Sequence, residues 1–323
     1  MRRPDPLPSE LGPRFTVVQA RDAGVLPGRL RRSDLEAPFF GVRTARRTIA
    51  FADAEPQGRQ SIAHRIRARH YAPRLRGDQF ISHESAVALL AGPAPLIRVH
   101  GEIVDGLALP VHVSTPGSGP LVRSAGVRGH RTPTSARVIH AEGIRLAHPA
   151  TAWAQLGHWS LLDLVALGDY FCREWRTGPG RPTQGLAPLA TRDELRAELA
   201  SARRHGAARL RQALALVRED AWSPRESMLR CQIVLAGLPE PALNHDVWDR
   251  HGRHLACVDL AYPELRIAIE YHGRLHHARY AEDVERVAAL RANGWIVLEV
   301  TSTLYTHPDE LLSRIRAAIA SRR

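Results

Sequence analysis

The chain has 323 residues, of which 44% are hydrophobic, so it is too long for one ordinary core and apolar enough for two or three domains. No stretch approaches the ~20 consecutive apolar residues of a membrane span, and the N-terminus lacks the apolar segment of a signal peptide. Three widely spaced cysteines argue against a disulfide framework and a structural zinc site. We expect a soluble cytoplasmic protein with no membrane partner.

The charge is strongly positive. The formal net charge is +12, and all 45 basic residues are arginine because the sequence contains no lysine. A positive field attracts polyanions, and the planar guanidinium group matches phosphates and guanine edges. The charge therefore favours nucleic acid as the partner.

The front of the chain has the pattern of a winged helix-turn-helix. Residues 15–20 are predicted to form a short helix with Thr16 as N-cap, and a second helix is predicted over about 27–35 after a glycine-bearing turn. Residues 39–43 and 47–50 are predicted to form a two-stranded wing. A helical hairpin with a solvated arginine face fits the same pattern. In the DNA-binding interpretation the second helix presents three basic side chains: Arg29, Arg31 and Arg32.

The middle of the chain has an α+β pattern. A helix is predicted over residues 84–90 behind Ser82, and short strands at 111–113 and 136–139 are separated by Gly/Pro turns. Scattered histidines in this region lack the spacing of metal ligands, so we interpret them as surface or core residues: His100, His112, His130, His140 and His148.

Residues 177–182 are predicted to be a linker, because they contain helix-breaking residues and little to bury. A connector helix is predicted over residues 192–217. The expected domain organisation is a winged helix-turn-helix at 1–55, an α+β domain at 56–176, a linker and connector helix at 177–221, and a C-terminal domain at 222–323.

The C-terminal region has clear helix and strand boundaries. Ser223 begins a helix as N-cap, followed by proline and by Glu226 in the third position, which is the pattern of a capping box. The predicted order of elements is α-β-β-β-α-β-α. After the first helix, the predicted strands and helices are, in turn, residues 244–249, 255–260, 266–271, 281–293, 295–300 and a final helix from Pro308.

Two carboxylates are expected to converge on neighbouring strands. We predict a two-residue turn at Pro263 and Glu264. This register places Asp259 opposite Ala268, on the same face as Glu270. Paired carboxylates repel each other and lose hydration, so a cation is expected between them. Mg²⁺ fits this site because it takes oxygen ligands, and phosphodiester cleavage needs an activated water and charge neutralisation.

The segment after the third strand is rich in histidine. His272, His276 and His277 lie within six residues, and a histidine near the metal could act as general base. Arg274 could hold the scissile phosphate, and Arg286 could do the same or pair with Asp283. Simpler interpretations remain open: Asp259 pairs with an arginine, Glu226 only caps its helix, and the histidines are ordinary loop residues.

The candidate site residues and their neighbours in the C-terminal region occur in an order and spacing that match a known group of proteins. The matching positions are residues 257–263, residues 269–273, His276, Asp283, Arg286, Leu290 and residues 294–297.

Residues 222–323 thereby resemble the PD-(D/E)XK nuclease superfamily, in the branch of uncharacterised domains similar to very-short-patch-repair endonucleases. The resemblance implies a restriction-endonuclease-like core with metal ligands at Asp259 and Glu270. It also implies that Glu226 is the helical carboxylate that often joins the site. Mg²⁺ or Mn²⁺ is the expected cofactor.

The sequence departs from this superfamily at one important position. His272 stands where the superfamily has a lysine. Histidine there is similar to the mismatch-repair endonucleases, whose two catalytic histidines match His272 and His277, while another alignment favours His276. The cysteine-rich zinc site of the repair enzymes is absent, so mismatch specificity is not carried over.

The front half carries a second resemblance, in residues 15–20, 41–43 and 82–86. These short motifs are similar to the winged helix and adjoining domain of AbiEi-type antitoxin regulators. This similarity implies DNA binding rather than catalysis, and it implies a toxin–antitoxin or defence-system partner.

The sequence therefore predicts a multidomain α+β protein that targets a Mg²⁺- or Mn²⁺-dependent endonuclease domain to DNA. The alternative is an AbiEi-like transcriptional regulator or antitoxin whose nuclease-fold domain is inactive. The missing lysine favours the alternative, and the presence of both core carboxylates favours the enzyme.

Overall fold

The computed structural model describes residues 5–46, 55–179, 181, 184–272 and 280–323. Its contacts divide the chain into two compact units of mixed α and β structure. Among the described residues, no helix has the length and apolar character needed to cross a membrane. The first unit comprises Met1–Trp159 with Asp193–Ala207, and the second comprises Ser160–Arg192 with Ala208–Arg323.

The front of the first unit is a small three-stranded sheet with one short helix. Its strands lie in the order β1-β3-β2, with both neighbours antiparallel to the central strand. Thr16 caps the helix as predicted, since its Oγ1 accepts the Gln19 N–H at 3.1 Å and the Gln19 side chain accepts the Thr16 N–H at 2.8 Å. The elements are β1 (Arg14–Thr16), α1 (Val17–Asp22), β2 (Leu35–Glu36) and β3 (Val42–Ala45).

The predicted second helix is wrong. Only Arg29–Arg31 forms a single 3₁₀ turn, and the chain becomes extended at Arg32, where ψ is 150°. The chain straightens here because Leu35 pairs with Ala45 in β3, which gives this backbone sheet partners instead of helical ones.

The predicted wing also differs. Residues 39–41 form a turn, in which the Val42 N–H donates to the Phe39 carbonyl and Gly41 takes a φ of 74°. The hairpin strands are therefore β2 and β3. The second predicted wing strand, residues 47–50, lies outside the described residues.

The rest of the first unit contains a five-stranded sheet in the order β8-β7-β4-β10-β9. The predicted helix at 84–90 and the strands at 111–113 and 136–139 are present with small shifts of their ends. Elements from residue 56 to 200 are α2 (Pro56–Tyr71), β4 (Phe80–Ile81), α3 (His83–Leu89), β5 (Arg98–Val99), β6 (Glu102–Ile103), β7 (Val111–Pro116), β8 (Val127–Thr132), β9 (Val138–Ala141), β10 (Ile144–Ala147), α4 (Pro149–Ala154), α5 (Leu161–Cys172) and α6 (Arg192–Ala200).

The predicted linker and the predicted connector both differ from expectation: Arg181 of the linker is held by hydrogen bonds, and the connector is divided into two helices. Arg181 is buried, and its guanidinium donates to the Asn244 carbonyl at 3.1 Å and to Asp246 at 2.5 Å within the second unit. The connector is two helices rather than one, because Gly206 takes a φ of 68° after α6. The second of these helices is α7 (Ala207–Leu216).

The second unit is built on a four-stranded sheet in the order β11-β12-β13-β14. The first three strands are antiparallel neighbours, and β14 runs parallel to β13. The predicted order of helices and strands is present, with one extra short helix after the last strand. The elements are α8 (Pro224–Leu235), β11 (Ala242–Trp248), β12 (His254–Tyr262), β13 (Ile267–His272), α9 (Tyr280–Ala292), β14 (Ile296–Thr301), α10 (Ser302–Tyr305) and α11 (Pro308–Ala320).

Helices cover both faces of this sheet, and each face has its own core. Leu260 and Ile269 pack with α8 and α11, through residues such as Leu229 and Ile315. On the other face, Ala268 packs with α9. The alternation of side chains along β13 thus assigns Glu270 to the same face as Ala268.

The start of α8 differs from the predicted capping box in one hydrogen bond. Ser223 Oγ accepts the Glu226 N–H at 3.2 Å, as predicted. The Glu226 carboxylate accepts the backbone N–H of Trp222 at 2.9 Å, one residue before the expected donor. Ser223 therefore fixes the helical turn that carries a site carboxylate.

Replacing Ser223 by alanine should lower the free energy of unfolding by about 1 kcal/mol, since a helix N–H loses its side-chain acceptor. Urea unfolding followed by circular dichroism measures this change. The matched control is Ser321→Ala, because Ser321 follows the end of α11 and caps no helix N-terminus. An equal loss in both variants would contradict the capping role.

Candidate functional site

Asp259 and Glu270 lie on the neighbouring strands β12 and β13, each one residue beyond the last pair of the ladder that joins these strands. The pairs Leu260–Ile269 and Tyr262–Ile267 set the register, and its continuation places Asp259 opposite Glu270. The predicted register, with Asp259 opposite Ala268, is wrong. A 3₁₀ turn at Pro263–Leu265 followed by a left-handed residue makes the connection longer than the two residues expected. The shared face of the two carboxylates is unchanged.

Asp259 is a carboxylic acid with an unusually high proton affinity. Its Oδ2 accepts the backbone N–H of Tyr271 at 2.8 Å. Burial, followed by the negative charge of Glu226, raises its pKa to about 7, and Glu270 adds to the effect. Three acidic side chains therefore share one electrostatic environment, and a cation placed there would relieve their repulsion.

Glu270 is buried, with 3% of its surface exposed. Its Oε1 accepts a hydrogen bond from the guanidinium of Arg286 on α9. Its Oε2 is buried and has no hydrogen-bond partner among the residues that the structure describes. An unsatisfied carboxylate oxygen fits a hard cation, because oxygen is the ligand that Mg²⁺ and Mn²⁺ prefer.

Glu226 is held at the start of α8, close enough to raise the pKa of Asp259. Its Oε2 accepts hydrogen bonds from the Trp222 N–H at 2.9 Å and from Asn244 Nδ2 at 3.0 Å. Among the described residues, the carboxylates of Glu226, Asp259 and Glu270 do not bring three oxygens within 4.8 Å of one another. The three carboxylates therefore do not converge on one point, and the charge of Glu226 acts on Asp259 more strongly than the charge of Glu270 does.

His272 lies at the end of β13, close to two carboxylates. Its Nε2 is 3.8 Å from Glu270 Oε2 and 3.8 Å from Glu299 Oε2. Among the described residues, this buried nitrogen makes no hydrogen bond.

The other predicted site residues have different outcomes. His276, His277 and Arg274 lie outside the described residues. Arg286 contacts Glu270 and also Asp283, at 3.2 Å, so the predicted helix pair is present as well.

The predicted DNA-contacting arginines are not equivalent. Arg29 is bound within the protein, since its guanidinium donates to both oxygens of Asp34, at 3.0 and 2.7 Å, and to the Asp5 carbonyl. Arg31 and Arg32 are exposed. Only these two present their side chains to solvent on the turn that replaces the predicted second helix.

Asn244 was not predicted as a site residue. It takes a left-handed conformation with a φ of 45°, and its register position is opposite Asp259. Its side chain donates to Glu226 and to the Asp220 carbonyl, at 3.0 and 2.6 Å. Asparagine tolerates this backbone region better than most residues, but nothing in the sequence spacing indicated that a strand residue would adopt it.

Asp259→Asn should stabilise the metal-free protein at alkaline pH. The folded pKa of about 7 lies above the ordinary value of 3.8, so the unfolded chain releases this proton first as pH rises. Stability is lost progressively through this window, and the loss is complete above pH 7. Asp259→Asn removes this loss. The free energy of unfolding of the variant should therefore exceed that of wild type by an amount that grows between pH 5 and pH 8 and reaches about 1–3 kcal/mol at pH 8.

Urea unfolding in EDTA at both pH values measures this difference. Asp309→Asn, at an exposed position on α11, is the matched control and should show no such trend. A pH-independent difference between wild type and Asp259→Asn would show that the carboxyl ionises normally in the folded protein.

No model of a known protein family matches the chain, and no solved structure matches it. Two proteins from separate strains of Mycobacterium tuberculosis are similar to it, namely uncharacterized protein Rv2248 and uncharacterized protein MT2308. Each is 33% identical over 192 residues, which cover 57% of this chain and 68% of the relative. At this identity and coverage, the chain belongs to the family of these mycobacterial proteins.

Proposed function

We propose that the protein is a metal-dependent DNA endonuclease, with the nuclease domain in residues 222–323. The observation that carries the proposal is that Asp259 and Glu270 share one face of adjacent strands, and that Glu270 Oε2 is buried with no hydrogen-bond partner in the part of the chain that the structure describes. A buried acidic pair of this kind is costly without a cation. A bound cation would neutralise the repulsion between the two carboxylates and so offset this cost.

The architecture supports this proposal. An α-β-β-β-α-β-α order places the two carboxylates on adjacent inner strands, with α8 supplying a third acid from its first turn. This arrangement agrees with the resemblance to the PD-(D/E)XK superfamily. Fold alone does not establish activity, so the argument depends on the side chains of the site.

The residues fit a hard divalent cation. Asp259 and Glu270 would hold Mg²⁺ or Mn²⁺, and Glu226 would assist directly or through water. When bound, the metal supplies charge neutralisation on the phosphoryl oxygens and lowers the pKa of a bound water.

Protein side chains would handle the proton and the phosphate. His272 Nε2 accepts the proton of the attacking water as the water oxygen bonds to phosphorus and the bond from phosphorus to the leaving sugar oxygen breaks. The leaving oxygen then takes a proton from solvent. Arg286, with its guanidinium at Glu270, is placed to bind a phosphate oxygen once a cation has taken over the neutralisation of that carboxylate. His276 or His277 remains the proposed second proton carrier.

DNA binding is proposed for residues 1–55 as a winged-helix-like domain. Helix α1 and the 3₁₀ turn lie between β1 and β2 of a sheet whose central strand is β3. Arg31 and Arg32 on this turn are exposed, and the chain carries a net charge of +12. Residues 56–176 are proposed as an adjoining domain, and residues 177–221 connect it to the nuclease domain.

A second candidate function is a DNA-binding regulator or antitoxin, acting with a toxin or defence-system partner, whose nuclease-like domain is inactive. The Arg286–Glu270 hydrogen bond favours it, because a guanidinium already supplies positive charge to one of the two carboxylates. The absence of lysine favours it as well.

The test is incubation of purified full-length protein with supercoiled plasmid in Mn²⁺, in Mg²⁺ and in EDTA. The proposal expects nicked or linear DNA with metal and intact plasmid in EDTA. Intact plasmid under all three conditions, together with tight binding to a promoter fragment, would establish the regulator instead.

A further inference from the structure

A cluster of histidines lies in the first unit, far along the chain from the carboxylates of the second. His83 is the first residue of α3, His112 lies on β7 and His130 lies on the adjacent strand β8. One ring nitrogen of each lies within 4.8 Å of those of the other two. Spacing along the chain could not predict this cluster, because three separate elements contribute its residues.

The rings are in direct contact. His130 Nε2 and His112 Nδ1 are 3.0 Å apart, while the rings of His83 and His130 stack with centroids 3.8 Å apart. Two nitrogens on one tetrahedral zinc, at the usual bond length of 2.0–2.1 Å, lie about 3.3 Å apart. The His112–His130 separation is already close to this value, whereas a His83 nitrogen would have to move closer, with rotation of a ring whose Nδ1 is 2.9 Å from Ser82 Oγ.

The fold imposes an unfavourable backbone on one member of the cluster. His83 has a φ of 51°, a region that residues with a Cβ seldom adopt. Its N–H donates to Gln155 Oε1 at 3.0 Å, which holds this conformation in place. Backbone strain of this kind occurs preferentially at ligand and active sites.

A negative charge lies next to the cluster. Glu84 Oε2 is 3.1 Å from His112 Nδ1 and is buried without a hydrogen bond among the described residues, while Oε1 is bonded by His158 Nε2 at 2.9 Å. Because His112 Nδ1 is the same nitrogen that faces His130, the carboxylate would offset the charge of a bound cation.

We propose that His83, His112 and His130 form a binding site for a divalent transition-metal ion such as Zn²⁺, with Glu84 as its charge-balancing neighbour. Imidazole nitrogens select zinc-class metals over Mg²⁺, so this site is distinct in chemistry from the proposed carboxylate site. Three protein ligands leave a fourth position open for water or another ligand.

The test is titration of full-length Glu270→Ala protein with Co²⁺ and Zn²⁺, since this background removes the carboxylate site. The proposal expects one tetrahedral Co²⁺ spectrum per chain, displaced by one equivalent of Zn²⁺. His112→Ala and His130→Ala should each weaken Zn²⁺ binding by at least about 100-fold, because loss of even an outer-shell partner costs 10–100-fold. Glu84→Gln should weaken binding while preserving the Co²⁺ spectrum.

His140→Ala is the matched control, since His140 is an exposed histidine on β9, and it should leave binding unchanged. Circular dichroism and the thermal midpoint of the metal-free variants check folding, and the half-buried His130 keeps the test valid if His112→Ala misfolds. Absence of a tetrahedral Co²⁺ spectrum, or equal Zn²⁺ affinity in folded His130→Ala, would overturn the proposal.

Discussion

Glu270→Ala should reduce Mn²⁺-dependent cleavage of plasmid DNA by at least about 100-fold. Loss of groups that only orient a metal ligand already costs 10–100-fold, and Glu270 is proposed as a ligand itself. The variant also removes the hydrogen-bond acceptor of Arg286 and leaves Asp259 without the second carboxylate needed to hold the metal. Initial nicking rates over a range of Mn²⁺ concentrations measure the effect.

Glu264→Ala is the matched control, because this glutamate is exposed in the turn between the same two strands. Its cleavage rate should equal that of wild type. Cleavage by Glu270→Ala at the wild-type rate would identify a contaminating nuclease and remove the evidence for an active site at this position.

Arg230→Ala should lower the free energy of unfolding by about 3–5 kcal/mol, the usual cost of removing one partner from a buried ion pair. The Arg230 side chain, on α8, is fully buried. It donates to the Leu216 carbonyl at 2.6 Å, to Glu240 at 2.8 Å and to Asp169 of α5 at 3.4 Å. Its loss leaves Asp169, whose pKa burial raises to about 6, without its counter-charge.

Urea unfolding at pH 7 measures this loss. Arg211→Ala, at an exposed arginine on α7, should change stability by no more than about 0.5 kcal/mol. The double variant Asp169→Asn with Arg230→Ala should lose less than the sum of the losses of its two single variants, since the two residues share one network. Strict additivity would mean that the α5–α8 ion pair contributes no coupling.

The C-terminal helices and strands were predicted well from the sequence, because capping and turn residues there mark the ends of the same segments that the apolar pattern buries in the core. Ser223 and the following proline began α8 where expected, and Gly294 ended the helix before β14. Apolar residues at period two identified β12 and β13. The shared face of Asp259 and Glu270 survived the error in the turn because the register moved by two residues, and an even shift keeps each side chain on its face.

Features that depend on tertiary contacts could not be predicted in this way. The second helix near Arg29 was excluded by strand pairing of Leu35, which no local pattern shows. Arg181 in the predicted linker is buried because Asp246 and Asn244 accept its hydrogen bonds from β11. The contacts of Arg181 join residues more than sixty positions apart, and residue spacing within one segment cannot predict such contacts.

Dependence on tertiary contacts also limited the prediction of the candidate site. Arg286 was expected near phosphate, but its hydrogen bond to Glu270 depends on how α9 packs on the sheet. The functions of Arg274, His276 and His277 remain predictions from sequence.

The most direct measurement is titration of Mn²⁺ into full-length protein, with free Mn²⁺ followed by electron paramagnetic resonance. Wild type and Glu264→Ala should bind one Mn²⁺ per chain at the carboxylates. Glu270→Ala and Asp259→Asn should each weaken that binding by at least about 100-fold. Equal Mn²⁺ binding in wild type and Glu270→Ala, or none in wild type, would contradict the assignment of Asp259 and Glu270 as a metal site.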